Sequence, residues 1–188
     1  MTVIRIMGID PGLAHMGVAG LLFDPDQGYA LDFVSLIVTK KSTKKKGLRA
    51  KADDVRRLEK VVAQFGALVV EWLPDVFSFE AVPSIRNAMV ARKSALSWGA
   101  CFALARQRQG ALILEYDPQP LKEVATGDKN ASKEKMIQVL SERFPVLAAS
   151  TTPKSKKEHE ADAVAAALKA AQDPAVIALA QALKRVTQ

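Results

Sequence analysis

The segment from Val3 to Asp10 is a short apolar run that ends in one carboxylate and is followed directly by Pro11-Gly12. A run of this length closed by Pro-Gly predicts a buried strand with a tight turn at its carboxyl end. Strands covered on both faces lie in the middle of α/β sheets, and such sheets bind ligands at the carboxyl ends of their strands. Asp10 is therefore a candidate site residue, although an Asp before Pro-Gly can instead cap its own turn.

The segments after this strand predict a mixed α/β sheet. Two further strands joined by short turns predict an antiparallel meander, and a predicted helix then leads to a fourth strand that ends at Glu80. Because a strand, a helix and a strand imply parallel pairing, Asp10 and Glu80 are expected side by side. The predicted strands after the first are 17–23, 29–38, 76–80 and 111–116.

Apolar residues at spacings of three and four predict the helices. Residues 85–108 predict a long helix, apolar almost all round in its later half, which would bury one side on the sheet and could bury another against a partner subunit. Later helices are predicted at 118–126, 132–144, 159–171 and 175–186. The helix before the fourth strand is predicted to bury Ala52, Val55, Leu58, Val62, Phe65 and Val69 and to leave Asp53, Arg56, Arg57, Glu59 and Lys60 mostly outside.

The size and charge of the chain limit its class. A length of 188 residues predicts a single domain, residues 1–188, and the net charge of +7 favours a polyanionic partner, with nucleic acid ahead of an acidic membrane. The basic loop 40–51, with Lys44, Lys45 and Lys46, is either a solvated connector or a phosphate-binding segment.

One cysteine, Cys101, excludes an internal disulfide framework. With no signal peptide and no run of about 18 apolar residues, we expect a soluble, cytoplasmic protein with no membrane partner.

Asp162 stands among alanines in the helix at 159–171, where an ionised carboxylate needs a cation or several donors. His159, three residues earlier, shares its helix face, and the two could form half of a metal site. The alternatives are a half-exposed Asp held by the helix dipole and a surface His. Together with Asp10 and Glu80, these ligands suit Mg²⁺ or Mn²⁺, and paired divalent ions support phosphodiester cleavage.

In these residues the sequence resembles the RuvC Holliday junction resolvases of the RNase H-like superfamily. The resemblance covers about residues 1–170 and includes the late segments Lys122…Thr126-Gly127…Ala131…Lys133 and His159–Val164. The other matching segments are Gly8–Gly12, Phe79-Glu80 and Arg86-Asn87-Ala88.

The resemblance implies an RNase H-like fold, a five-stranded mixed sheet with strands 1–3 antiparallel and strands 4–5 parallel, flanked by helices. It implies a catalytic and metal-binding tetrad and a homodimer paired through the 85–108 helix. The implied reaction is Mg²⁺-dependent cutting of four-way and other branched DNA, with two ions and Mn²⁺ able to substitute, leaving 5′-phosphate and 3′-hydroxyl ends. Branch-migration proteins are expected partners if the source is a bacterium rather than a phage. The implied tetrad is Asp10, Glu80, His159 and Asp162, and the implied DNA-binding residues are Arg86, Asn87, Lys122 and Lys133.

The chain departs from the family pattern at two positions. Pro83 stands where members commonly have an aromatic wedge, and Lys129 stands where a second glycine is expected after Gly127.

Two rival functions remain. A sugar kinase or Hsp70-like ATPase would need a second lobe, and usually a hydroxyl residue where this chain has Leu13 and Ala14. A non-catalytic nucleic-acid-binding relative would not need all four tetrad positions filled.

Overall fold

The computed structural model describes residues 3–42, 50–82 and 88–186. It contains one sheet of five strands, which are β1 (Ile4–Asp10), β2 (His15–Asp24), β3 (Gly28–Val38), β4 (Val76–Glu80) and β5 (Leu112–Tyr116). Their order is β3-β2-β1-β4-β5, with β1, β2 and β3 antiparallel and β4 parallel to both β1 and β5. The predicted mixed sheet and its pairing are confirmed.

Seven helices flank this sheet among the described residues, namely α1 (Ala50–Trp72), α2 (Ala88–Gln107), α3 (Pro118–Thr126), α4 (Lys133–Arg143), α5 (Pro145–Ala148), α6 (Lys157–Ala171) and α7 (Pro174–Val186). A 3₁₀ turn, Lys154–Lys156, leads into α6. All the predicted helices are present with small shifts of their ends, and α5 was not predicted. Gly127, at φ 78°, ends α3 in the left-handed conformation that glycine adopts without strain.

The alternation of side chains along β1 divides the core into two layers. Ile4 and Ile6 face one cluster, formed with α3 to α7, whereas Met7 and Ile9 face the other, formed with α1 and α2. Successive residues of a strand point to opposite faces, so Gly8 and Asp10 share the face that packs on α6. The strand therefore sends its terminal carboxylate toward α6.

The prediction for the start of α1 was wrong in part. Arg57 is only 3% exposed and Asp53 is also buried, whereas Val55, predicted to be buried, is 56% exposed. The reason is that the first turns of α1 pack against polar groups at the end of β3 instead of apolar sheet residues. The Arg57 Nε donates a hydrogen bond to Thr39 Oγ1 at 2.9 Å, and Asp53 Oδ1 accepts one from the backbone N–H of Ser42 at 3.3 Å.

The predicted two-sided burial of α2 is not found within one chain. The fully buried residues that the structure describes in this helix form a single stripe, Ser97, Cys101 and Ala105. Met89 and Val90, in its first turn, are about half exposed, at 54% and 47%. Burial of a second side against a partner subunit stays a prediction.

No single helix within the described ranges is both long and apolar enough to cross a membrane. Residues Lys154–Ala171 and Pro174–Arg185 meet the length and composition requirement only as a pair, across a bend of 63°.

The backbone of α6 lies unusually close to β1 and β2. A Cβ atom at Gly8 would lie 2.0 Å from the carbonyl oxygen of Ala163, and one at Gly17 would lie 1.8 Å from that of His159. Ser78, in β4, donates a buried hydrogen bond of 2.7 Å to the carbonyl oxygen of Ala166. Glycine in the strands and alanine in the helix thus allow the helix to lie directly on the sheet.

We expect Gly8→Ala to lower the free energy of unfolding by about 2 kcal/mol or more, because the added methyl group has only backbone atoms to displace. Urea unfolding followed by circular dichroism measures this. Gly66→Ala is the matched control, since its Cβ would meet nothing nearer than Leu104 Cδ1 at 4.0 Å. In the middle of α1 it should instead add about 0.5–1 kcal/mol. Equal effects of the two changes would contradict the packing argument.

Candidate active site

Three carboxylates meet at the carboxyl ends of β1 and β4. Asp10, Glu80 and Asp162 each offer an oxygen, and these oxygens all lie within 4.8 Å of one another. The parallel register pairs Ile9 with Phe79, so the next residue of each strand is an acid and the two acids are neighbours. The packing of α6 on the sheet adds Asp162 from the third side. The expected juxtaposition of Asp10 and Glu80 is confirmed.

His159 lies at the edge of these three acids. Its Nδ1 is 2.6 Å from Asp10 Oδ2, a hydrogen-bonding distance, and its ring stacks on that of His15 with centroids 5.3 Å apart. Among the described residues, the group that could hold a metal ion comprises the three carboxylates without His159. The imidazole therefore contacts one carboxylate of the site, and its predicted role as a direct metal ligand stays a prediction.

The three acids repel one another in a poorly solvated place. Burial raises the pKa of Glu80 to about 9, and the charges of Asp162 and Asp10 add to this. Burial and the charge of Asp10 raise the pKa of Asp162 to about 7, against the opposing effects of Lys133 and His159. Acids forced together in this way are typical of functional sites. A bound divalent cation would remove the repulsion, so the donor set fits a hard, oxygen-ligated ion.

Two basic residues, His159 and Lys133, lie beside the acids, and His15 stacks on His159. Burial lowers the pKa of His159, but the hydrogen bond and charge of Asp10 outweigh it and the pKa is raised. Burial and the charges of Lys156 and His159 lower the pKa of His15. The Lys133 Nζ lies 2.6 Å from Glu158 Oε2 and 4.0 Å from Asp162 Oδ2. Lys133, one of the predicted DNA-binding residues, is thus at the site.

Lys122, the other described lysine of that prediction, acts on the site through its charge, which lowers the pKa of Glu80 against the effects of burial and the acids. The remaining predicted DNA-binding residues, Lys44, Lys45, Lys46, Arg86 and Asn87, lie outside the described residues, as does Pro83.

Sequence reasoning missed three residues around the site. His15 stacks on His159, and its position at the start of β2, shortly after Asp10, was an available signal. Glu158 pairs with Lys133. Glu160, only 1% exposed, accepts hydrogen bonds from Ser150 Oγ and Thr152 Oγ1 and so ties the loop before α6 to that helix. No periodicity marks the two glutamates, because their partners come from α4 and from a loop.

Comparison with known sequences gives a consistent result. The family model for "Crossover junction endodeoxyribonuclease RuvC" matches residues 6–170. A curated protein of that description from Cytophaga hutchinsonii is 29% identical over 136 residues, which are 72% of this chain and 62% of the relative. The chain thus spans less than two thirds of the length of that relative.

Solved structures are similar in fold. The Thermus thermophilus RuvC in complex with a Holliday junction substrate has a TM-score of 0.70 at 23% identity, over 89% of this chain and 93% of that chain. The yeast mitochondrial Holliday junction resolvase has a TM-score of 0.66 at 14% identity, over 98% and 85% of the two chains. The predicted fold class is confirmed.

We expect Glu80→Gln to stabilise the protein in EDTA at pH 8. The folded pKa of Glu80 is raised to about 9 from an unfolded value of 4.5. The neutral Glu80 side chain therefore makes its full contribution to the stability of the folded protein below about pH 4.5. This contribution is lost as the pH rises toward 9. The amide cannot ionise, so the variant should gain about 1–3 kcal/mol over the parent at pH 8 and much less at pH 5.

Urea unfolding at both pH values measures this difference. Glu115→Gln, a change of equal charge at an exposed position of β5, is the control and should give little difference at either pH. A gain for Glu80→Gln of the same size at pH 5 and pH 8 would contradict the electrostatic origin.

Proposed function

The chain belongs to the RuvC family of crossover junction endodeoxyribonucleases, and on this premise we propose that it hydrolyses phosphodiester bonds in four-way and related branched DNA. The products would carry 5′-phosphate and 3′-hydroxyl ends. The observation that carries the proposal is the convergence of Asp10, Glu80 and Asp162 at one edge of a sheet, within 4.8 Å of one another. The net charge of +7 suits a polyanionic substrate.

Asp10, Glu80, His159 and Asp162 would hold the metal, with Mg²⁺ as the resident ion, two ions per site and Mn²⁺ able to replace it. Bound divalent ions would supply activation of the attacking water and positive charge for the leaving oxygen. The hydrogen bond that His159 Nδ1 donates to Asp10 Oδ2 fixes the direction of both side chains before an ion arrives. The near-complete burial of Asp162, at 9% exposure, keeps bulk water away from its carboxylate.

The lysines would bind and position the DNA. Lys133 extends from the first turn of α4 to within 4.0 Å of Asp162 Oδ2, so a phosphate bound to its ammonium would lie next to the carboxylates. Lys122, on α3, lies near enough to influence Glu80. Phosphate contacts of this kind orient the backbone and carry no base information directly. Lys44, Lys45, Lys46, Arg86 and Asn87 are proposed to extend the contact along the DNA.

We further propose that residues 1–188 act as one nuclease domain and that two copies pair through α2. A four-way junction is resolved by two cuts, and a symmetric pair of chains would supply two equivalent sites. The single buried stripe of α2 leaves the other side of this helix for a partner. A cytoplasmic location and, in a bacterial source, branch-migration proteins as partners complete the proposal.

The decisive experiment is incubation of the protein with end-labelled four-way, three-way and linear DNA, with and without Mg²⁺. The proposal requires Mg²⁺-dependent cutting of four-way DNA, paired symmetric cuts, and linear duplex cut far more slowly. Equal cutting of all three, or none with any divalent ion, would contradict it.

We expect Asp10→Asn, Glu80→Gln and Asp162→Asn to lower the cleavage rate by at least about 100-fold, because each removes a charged ligand of the proposed ions. Affinity for the junction should be kept or increased, since a negative charge near the phosphates is removed. Single-turnover cleavage and electrophoretic mobility shift in EDTA separate the two effects. Wild-type cutting by Asp10→Asn would exclude the mechanism.

His159 allows a test of the metal ligand set. Only neutral imidazole can ligate, so we expect activity to fall as the pH drops through the raised pKa of His159. His159→Asp should keep Mg²⁺-dependent cutting and move the acidic limb of the pH-rate profile to lower pH, whereas His159→Ala should weaken metal binding. A full Mg²⁺-dependent rate in His159→Ala would show that the imidazole is not a ligand.

A further inference from the structure

Glu158 is an acid at the rim of the site that is not part of the three-carboxylate group. Its Oε2 lies 2.6 Å from Lys133 Nζ, and its Oε1 lies 3.9 Å from His159 Nε2. The same Lys133 ammonium is 4.0 Å from Asp162 Oδ2. One carboxylate thus lies between the Lys133 ammonium and the His159 imidazole, and the same ammonium lies near Asp162.

This place is open to a large ligand. A groove of about 890 Å³ runs between α4 and the 3₁₀ turn, with Lys133, Ile137 and Lys154 on its walls and Glu158 beside them. The ion pair is partly solvated, with the Lys133 side chain 53% exposed and that of Glu158 30% exposed. Solvated pairs separate at little cost, so a DNA strand entering the groove can replace the carboxylate.

We propose that Glu158 is an intramolecular competitor of the DNA backbone, in that its carboxylate occupies on Lys133 the position that a phosphate of the substrate takes. The proposal rests on the proposed function, because it needs a phosphodiester as the displacing group. Both anions carry oxygens that accept hydrogen bonds from an ammonium, and one ammonium close to Asp162 cannot hold both at full strength. Binding of DNA therefore includes the opening of the Lys133–Glu158 pair.

The consequence is a weaker complex than the lysine alone would give. Glu158→Gln keeps the shape of the side chain but removes its charge, so Lys133 is available to a phosphate without competition. The cost of an exposed ion pair corresponds to a factor of about two to five in the dissociation constant. The KM for cleavage should fall by a similar factor while kcat stays constant or falls, because the contact is made equally before and during the reaction.

The test measures dissociation constants for a four-way junction and for linear duplex in EDTA, and single-turnover cleavage in Mg²⁺, using the full chain. Glu158→Gln should bind both DNAs about two to five times more tightly than wild type. The control is Glu134→Gln, which removes an equal charge from the residue next to Lys133. The carboxylate of Glu134 accepts a hydrogen bond from Ser132. This variant should cause a smaller change, since the close ion pair of Lys133, at 2.6 Å, is with Glu158.

A double-mutant cycle identifies the route of the effect. In a Lys133→Ala background, Glu158→Gln should lose most of its gain in DNA affinity, because the ammonium for which Glu158 and the phosphate compete has been removed. The same gain in both backgrounds would mean general electrostatics and would overturn the proposal. Weaker binding by Glu158→Gln would also overturn the proposal, because it would mean that Glu158 positions Lys133. Loss of Mg²⁺-dependent cleavage with unchanged affinity would overturn it as well, because it would mean that Glu158 is a metal ligand. Failure of wild-type protein to bind or cut branched DNA would instead count against the proposed function.

Discussion

The contact between the backbone of α6 and the glycines of β1 and β2 determines how close the α6 residues of the site lie to the strand ends. Gly8 and Gly17 leave room for the carbonyl oxygens of Ala163 and His159, and a side chain at either glycine would occupy the same space as the helix. At this separation, residues on the first two turns of α6 reach the strand ends. Asp162 and His159 can then meet Asp10 without long or flexible side chains, so the geometry of the site is fixed by packing in the core.

The same packing imposes an electrostatic cost. Three carboxylates are held within 4.8 Å of one another by elements that cannot move apart without losing their buried contacts. Burial and mutual repulsion raise the pKa of Glu80 to about 9 and that of Asp162 to about 7, so part of the cluster is neutral when no metal is bound. Stability of the metal-free protein and affinity for a divalent cation are therefore opposed, since the charges that disfavour folding are those that would bind the proposed ion.

The sequence predicts the framework better than the surroundings of the site. Asp10 and Glu80 follow apolar runs whose length and ending identify strands, and the observed β4 is the predicted 76–80. Pro118 and Gly127 mark both ends of α3 by their own backbone preferences. The first turns of α1 were mispredicted, because periodicity assumes an apolar neighbour and Arg57 instead packs against Thr39. The partners of Glu158 and Glu160 could not be predicted for a related reason, as they depend on how α4 and the 150–152 loop pack against α6.

Glu80 is held in place by the central position of its strand in the sheet. Strand β4 lies between β1 and β5 and cannot slide without breaking two ladders of backbone hydrogen bonds. On the opposite face of the sheet, the first turns of α2 pair with α1 through the buried carboxylate of Asp54. This carboxylate lies 3.4 Å from Arg92, 3.3 Å from Lys93 and 3.7 Å from Arg57 of its own helix. A single buried acid shared by three cations loses more when one element shifts than a solvated pair would. The sheet thus separates the ion cluster around Asp54, which joins α1 to α2 on one face, from the three carboxylates that lie against α6 on the other face.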